Sequence, residues 1–113
     1  MSRIFRLYLE DILKSCRNIR TYVSAMTFDE FSSDQKTIDA VVRNLEIIGE
    51  AVKSLPTESK EANPEIPWKK IARFRDLIAH HYFSVNIDMV WDILRTKLTP
   101  LEKTVEEMLT VED

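Results

Sequence analysis

Both histidines of the chain, His80 and His81, stand side by side in the segment Arg73-Phe74-Arg75-Asp76-Leu77-Ile78-Ala79-His80-His81-Tyr82. Imidazole is the side chain whose ordinary titration spans neutral pH, which makes this segment the best place in the sequence for acid–base chemistry. The rest of the repertoire is thin. There is no Gly-rich phosphate loop, no HExxH and no GxSxG. The one cysteine, Cys16, has no second thiol to pair with or to share a metal. It falls on the apolar side of the first helical segment, where it reads as small core filler.

Helix geometry sharpens what the segment can do. Offsets of three, four and seven bring Arg75, Ile78, Ala79 and Tyr82 onto one face of an ideal helix. Arg75 then lies along the edge of the apolar stripe, a costly place for a permanent charge unless a cleft or a partner receives it. Asp76 and His80 are i, i+4 neighbours, so the carboxylate is within reach to orient the imidazole. Arg75 and His80 are separated by about 140° around the axis. They converge on one phosphate only if the helix end is distorted or a second subunit supplies one of them. A two-fold dimer pairing these helices sets two arginines and two histidines around one groove. That arrangement suits cleavage of RNA without a metal. One histidine takes the proton of the ribose 2′-hydroxyl while another protonates the leaving 5′-oxygen. The arginines hold the charge that builds on the phosphoryl oxygens.

Charge distribution adds a candidate track for a nucleic acid. The formal net charge is −3, yet Lys69, Lys70, Arg73 and Arg75 follow one another without an intervening acid. A local basic stripe can meet a phosphate backbone even on an acidic protein. After Pro100 the balance reverses, with Glu102, Glu106, Glu107, Glu112 and Asp113 against Lys103. Simpler readings stand beside these. An arginine or histidine at a helix edge usually serves a salt bridge or a cap, and two residues at a fixed spacing are a weak signal. Lys69 and Lys70 serve equally as a solvated face. The adjacent histidines point about 100° apart and find no third ligand, which makes a metal site the poorer reading. Trp68 and Trp91 read as core or interface anchors rather than stacking platforms for bases.

The elements that must position these residues are helices. One glycine and four prolines in 113 residues leave too few turn formers for a β-rich fold. Phe5, Leu9, Ile12, Cys16, Ile19 and Val23 recur at steps of three or four, which predicts an amphipathic helix from Arg3 to about Ala25. Thr27-Phe28-Asp29-Glu30 is a capping box starting a short turn, and Ser32-Ser33-Asp34 offers a second cap. From Asp34 to Leu55 the row Ile38, Val41, Leu45, Ile48, Val52, Leu55 has a second row beside it, Val42, Ile47 and Ala51. A stripe this wide faces more than one neighbour. Gly49 sits inside it at a cost of about 1 kcal/mol relative to alanine, which points to a close backbone crossing there. Residues 56–67 read as the one real linker. Pro67 suits the first turn of a third long helix ending near His81, with the stripe Trp68, Ile71, Phe74, Ile78. Phe83-Ser84-Val85-Asn86 breaks the pattern. A fourth helix starts near Ile87, carrying Val90, Trp91, Leu94 and Leu98 on one face. Pro100 permits a kink or a new start, and Leu101, Val105 and Leu109 make a final short helix. The expected fold is all-α: an up-and-down bundle of four main helices plus a short C-terminal one, with residues 1–113 forming a single domain. No stretch approaches the roughly 20 apolar residues of a membrane span, and no signal-peptide run opens the chain, so the expected setting is cytoplasmic, without a membrane.

The segment Arg75-x4-His80-x-Tyr82 resembles the R-x4-H-x-Y motif of the HepT-like branch of the HEPN superfamily, and the resemblance extends over nearly the whole chain. Val41-Val42-Arg43-Asn44-Leu45-Glu46-Ile47-Ile48-Gly49-Glu50-Ala51 is similar to the family's second-helix signature. Ile66-Pro67-Trp68-Lys69-Lys70-Ile71 is similar to its approach to the motif helix, and Val85-Asn86-Ile87-Asp88-Met89-Val90-Trp91 to the segment after it. The resemblance implies a helical homodimer with the two motifs meeting in an interfacial cleft, acting as a metal-independent ribonuclease toxin on tRNA or mRNA, with no cofactor. It implies catalytic roles for Arg75 and His80 and a supporting polar role for Asp76, while Lys69, Lys70 and Arg73 of the basic stripe are the candidate RNA contacts. It further implies that an MntA-like nucleotidyltransferase antitoxin attaches AMP to Tyr82, adding phosphate charge and bulk beside the groove. Another reading is a non-catalytic HEPN partner, a substrate-binding subunit of a nucleotidyltransferase. It differs in whether His80 is needed for chemistry on RNA.

Overall fold

The computed structural model describes residues 2–81 and 85–111. Among them lie seven helices: α1 (Arg3–Val23), α2 (Phe28–Ser32), α3 (Gln35–Ser54), α4 (Thr57–Glu61), α5 (Trp68–His81), α6 (Ile87–Thr96) and α7 (Leu98–Val111). The fold is all-α, as the composition and periodicity predict. No helix among the described residues is long and apolar enough to cross a membrane.

The helix starts are chemically explicit. Ser2 accepts from the Phe5 amide, Asp34 from Thr37 and Asn86 from Met89, each at 3.1 Å. At α2 the capping box is complete: Thr27 Oγ1 accepts from the Glu30 amide at 3.1 Å, and Glu30 accepts from the Thr27 amide at 2.9 Å. These bonds satisfy donors that a helix N-terminus leaves orphaned.

Helix α3 is central, packed against both α1 and α5, and α7 closes the other side against α1 and α6. The predicted α3 row Ile38, Val41, Leu45, Ile48, Val52, Leu55 is buried throughout, as are Leu9, Ile12, Cys16 and Ile19 of α1. Burial, then the Glu102 charge, push the Cys16 thiol up to about 12, which suits the core role expected for it. One polar bond stitches the α1–α3 seam: Asn18 Nδ2 donates to Asn44 Oδ1 at 3.2 Å. Trp91 packs on Phe31 with ring centroids 5.1 Å apart, tying α6 to α2.

Two features differ from the expectations. The linker after Pro56 contains a turn of helix, α4, capped by no side chain. Helix α7 begins at Leu98, ahead of Pro100, and runs for 14 residues, so it is longer than the 10-residue α6. Proline is harmless so near a helix start, where its missing N–H has no intrahelical partner to lose. The acidic stretch of α7 is partly paired with α1. Glu102 is buried and pairs with Arg20 and, at 3.6 Å, with Arg17 of α1, while Glu106 pairs with Arg17.

Candidate functional site

Helix α5 carries the candidate residues, and its start is anchored twice. The Pro67 carbonyl accepts from the Ile71 amide at 3.1 Å. The buried Trp68 indole donates to the carbonyls of Lys60 and Asn63, at 3.1 and 2.9 Å, which clamps the α4–α5 connection onto the helix.

Farther along, α5 crosses α3 at unusually short range. A Cβ added to Gly49 would lie 2.2 Å from Arg75 Cβ and 3.3 Å from Arg75 Cα. The described glycine has no positive φ, so its backbone does not demand glycine; the approach of Arg75 does. The close crossing expected at Gly49 is therefore present, and the residue it brings in is Arg75.

The crossing places Arg75 among charges of α3. Its side chain is 24% exposed, with Nε 2.8 Å from Glu50 Oε2. That contact is an ion pair without the alignment of a hydrogen bond, and Nε itself is shut away from solvent. Nη1 donates to Asp76 Oδ1 at 3.3 Å, and the same Oδ1 accepts from Lys53 Nζ at 3.0 Å. The Lys53 hydrogen bond first, then Arg75, hold the Asp76 carboxyl below its ordinary value despite some desolvation. Arg75 also lines a cleft of about 290 Å³ between α1 and α3, with Tyr8, Asp11, Arg43, Glu46 and Glu50 among its walls. The sequence reading asked for a cleft or a partner to receive the arginine, and a cleft is present.

His80 stands apart from this network. Helix α5 stays α-helical through His81, so the angular offset of about 140° between Arg75 and His80 is not removed by a distorted end. Both histidines are exposed. Among the described residues no hydrogen bond joins Asp76 to His80: the carboxylate turns to Lys53 and Arg75, whose full charges make stronger donors. Lys69, Lys70 and Arg73 are exposed as well, but not as one patch. Arg73 lies seven residues before His80 and Lys69 four before Arg73, which puts both on the same side as His80. Lys70 instead lines an apolar groove of about 370 Å³ with Ile71, Phe74, Met89 and Ile93. Ile71 and Phe74, expected in the core stripe, are half-buried along that groove. Tyr82 lies outside the described residues. Glu50 and Lys53 were not among the predicted site residues. The signal for both was Gly49, one and four positions before them on the helix that touches α5.

The profile of the ribonuclease HepT-like family matches residues 12–108. The chain belongs to that family. A protein of Methanocaldococcus jannaschii, named provisionally as an RNase, is 46% identical over 104 residues, covering 92% of this chain and 86% of its own. A protein of Caldanaerobacter subterraneus subsp. tengcongensis, also named provisionally as an RNase, is 44% identical over 107 residues, covering 95% of this chain and 96% of its own. One of Thermococcus cleftensis, named probable ribonuclease HepT, is 39% identical over 108 residues, covering 96% and 98%. No solved structure matches the chain at a significant level. The HepT-like assignment agrees with the all-α fold. Within it Arg75 is fixed to the central helix α3, whereas His80 is exposed on α5.

Proposed function

We propose that this protein is an endoribonuclease of the HEPN type, the toxin of a toxin–antitoxin pair, built as one domain over residues 1–113 and working as a homodimer. The observation that carries the reading is Arg75, a guanidinium fixed at the wall of a cleft in a chain of a ribonuclease family. A partly buried, pre-oriented cation loses little freedom when an oxyanion arrives, which is the property required to stabilise charge building on a phosphoryl group.

The geometry of α5 supports the dimer. One regular helix cannot turn Arg75 and His80 onto the same phosphate, so a second copy contributes one of them. In the paired arrangement one His80 takes the proton from a ribose 2′-hydroxyl, and O2′ attacks the adjacent phosphorus. The P–O5′ bond breaks, and the other His80 donates a proton to the leaving O5′. The products are a 2′,3′-cyclic phosphate and a 5′-hydroxyl, and no metal is needed to balance the step. Lys69 and Arg73, on the His80 side, lead the backbone of tRNA or mRNA toward the site; Lys70 lies round the helix from them. Asp76 supports the site through Arg75. Tyr82, two residues past His80, is the acceptor for AMP from an MntA-like nucleotidyltransferase antitoxin. Its hydroxyl displaces pyrophosphate from ATP, and the added phosphate repels RNA.

One observation favours a non-catalytic partner of a nucleotidyltransferase: two carboxylates, Glu50 and Asp76, already neutralise Arg75. Incubating the purified protein with total tRNA in excess EDTA, beside His80→Ala, decides between them. Intact mass is checked first, so that AMP-blocked protein is not scored as inactive. Cyclic-phosphate ends made by the parent and lost in His80→Ala, with the dimer retained, are the expected result. Absence of cleavage by unmodified protein on both tRNA and mRNA overturns the nuclease. Tyr82→Phe is expected to cleave but to take up no AMP from the antitoxin; if it is still modified, Tyr82 is not the acceptor.

A further inference from the structure

We propose that Lys53, on α3, is a positioning residue that keeps Arg75 available to an RNA phosphate by drawing Asp76 away from it. The proposal rests on the reading of Arg75 as a phosphate-holding group.

The geometry starts from the crossing. Gly49 touches Arg75, and Lys53 lies one helical turn beyond Gly49 on the same side of α3. The register that seats Arg75 therefore also delivers the Lys53 ammonium to Asp76. One atom, Asp76 Oδ1, accepts from both cations, and the two bonds are unequal: 3.0 Å from Lys53 Nζ and 3.3 Å from Arg75 Nη1. Charge-assisted bonds of this kind usually measure about 2.7–2.9 Å, so the Arg75 bond is the slack one. Its slackness leaves the Nη edge open to a competing oxyanion, while Glu50 holds the Nε side.

The charge balance points the same way. Glu50, Arg75, Asp76 and Lys53 sum to zero. Remove the lysine and one net negative charge remains where a phosphate must arrive. Asp76 is then also free to close on Arg75 with both its oxygens, the bidentate geometry that guanidinium and carboxylate favour. Both changes weaken phosphate binding; the first is the field of the lysine charge itself, which salt screens, and the second, carried by Asp76, is the one on which the proposal turns.

The test is a double-mutant cycle on binding of a 2′-deoxy-substituted oligonucleotide, which the chain cannot cleave, with kcat and KM on the matching RNA alongside. Lys53→Met is expected to weaken binding, and to raise KM, by roughly twofold to fivefold, the range of a half-exposed charge pair. Lys53→Arg is expected to retain parent affinity. In the Asp76→Asn background, Lys53→Met is expected to change affinity by less than twofold. If the loss persists undiminished in that background, Lys53 acts on RNA by its own charge or contact rather than through Asp76, and the proposal falls. If the unmodified protein neither binds nor cleaves RNA, the nuclease reading fails first. An NMR titration of the Asp76 carboxyl then judges the network by itself: a midpoint that moves up in Lys53→Met supports the Lys53–Asp76 bond, and an unmoved one overturns it.

Discussion

Replacing Gly49 by alanine pits two well-defined effects against each other. Alanine is the better helix former by about 1 kcal/mol, so in an open stretch of α3 the change would stabilise the protein. Here the new methyl would stand 2.2 Å from Arg75 Cβ, 2.8 Å from its Cγ and 3.3 Å from its Cα. Ordinary carbon contacts begin near 3.5 Å, so α5 must retreat by about 1 Å at the crossing. The nearest atoms are the root of the arginine side chain and its backbone, which no rotamer change moves aside. Overpacking of this kind costs about 1–3 kcal/mol, leaving a net loss of about 0–2 kcal/mol after the helix gain. For a domain of this size that lowers Tm by up to roughly 10 °C. Function should fall further than stability. A misplacement of about 1 Å at a charge-stabilising group costs on the order of 100-fold in rate. The assay pairs thermal unfolding with RNA cleavage well below Tm, where Gly49→Ala is folded. A variant with raised Tm and parent-level cleavage would refute the argument, because it would mean that α5 is free to move without consequence for Arg75.

Two other outcomes follow from the same contacts. Trp68→Phe keeps most of the buried ring but removes the N–H that serves the Lys60 and Asn63 carbonyls, so it should cost about 1–2 kcal/mol in urea unfolding, with the m-value unchanged. The Asp76 carboxyl, held below its ordinary value chiefly by Lys53, stays ionised across the neutral range. Its contribution is complete above the unfolded-state value and is lost only as pH falls through the depressed folded one. A pH–rate profile between pH 5 and 8 should therefore show no step from Asp76, and any step in that window that persists in Asp76→Asn belongs to another group.

What could be read in advance was whatever lies within one helix. Steps of three and four marked α1 and α3, the Thr27–Glu30 box marked α2, and the row from Ile38 to Leu55 is buried as its period requires. Elements without an apolar period were missed. Helix α4 has no buried residue, and what ties its end down is the Trp68 indole bonding to backbone carbonyls, which side-chain patterning does not record. Leu98 was assigned to the fourth helix because Pro100 looks like a break, although a first turn tolerates proline.

The same boundary runs through the site. Arg75 announced itself as a charge on the edge of an apolar stripe, and Gly49 as a glycine with no turn to make. Each was legible as an anomaly in its own helix, and the two anomalies prove to be the two sides of one contact. Their consequences needed the register of α3 on α5, which no spacing inside either helix supplies. An i, i+4 argument gave Asp76 to His80, and the register gives it to Lys53 and Arg75 instead. The crossing then separates the two motif residues, with Arg75 committed to the central helix and His80 to the open side. In the proposed mechanism, which uses both, a second α5 comes to that open side, so dimer formation and catalysis should fail together in variants that block the approach of a second chain.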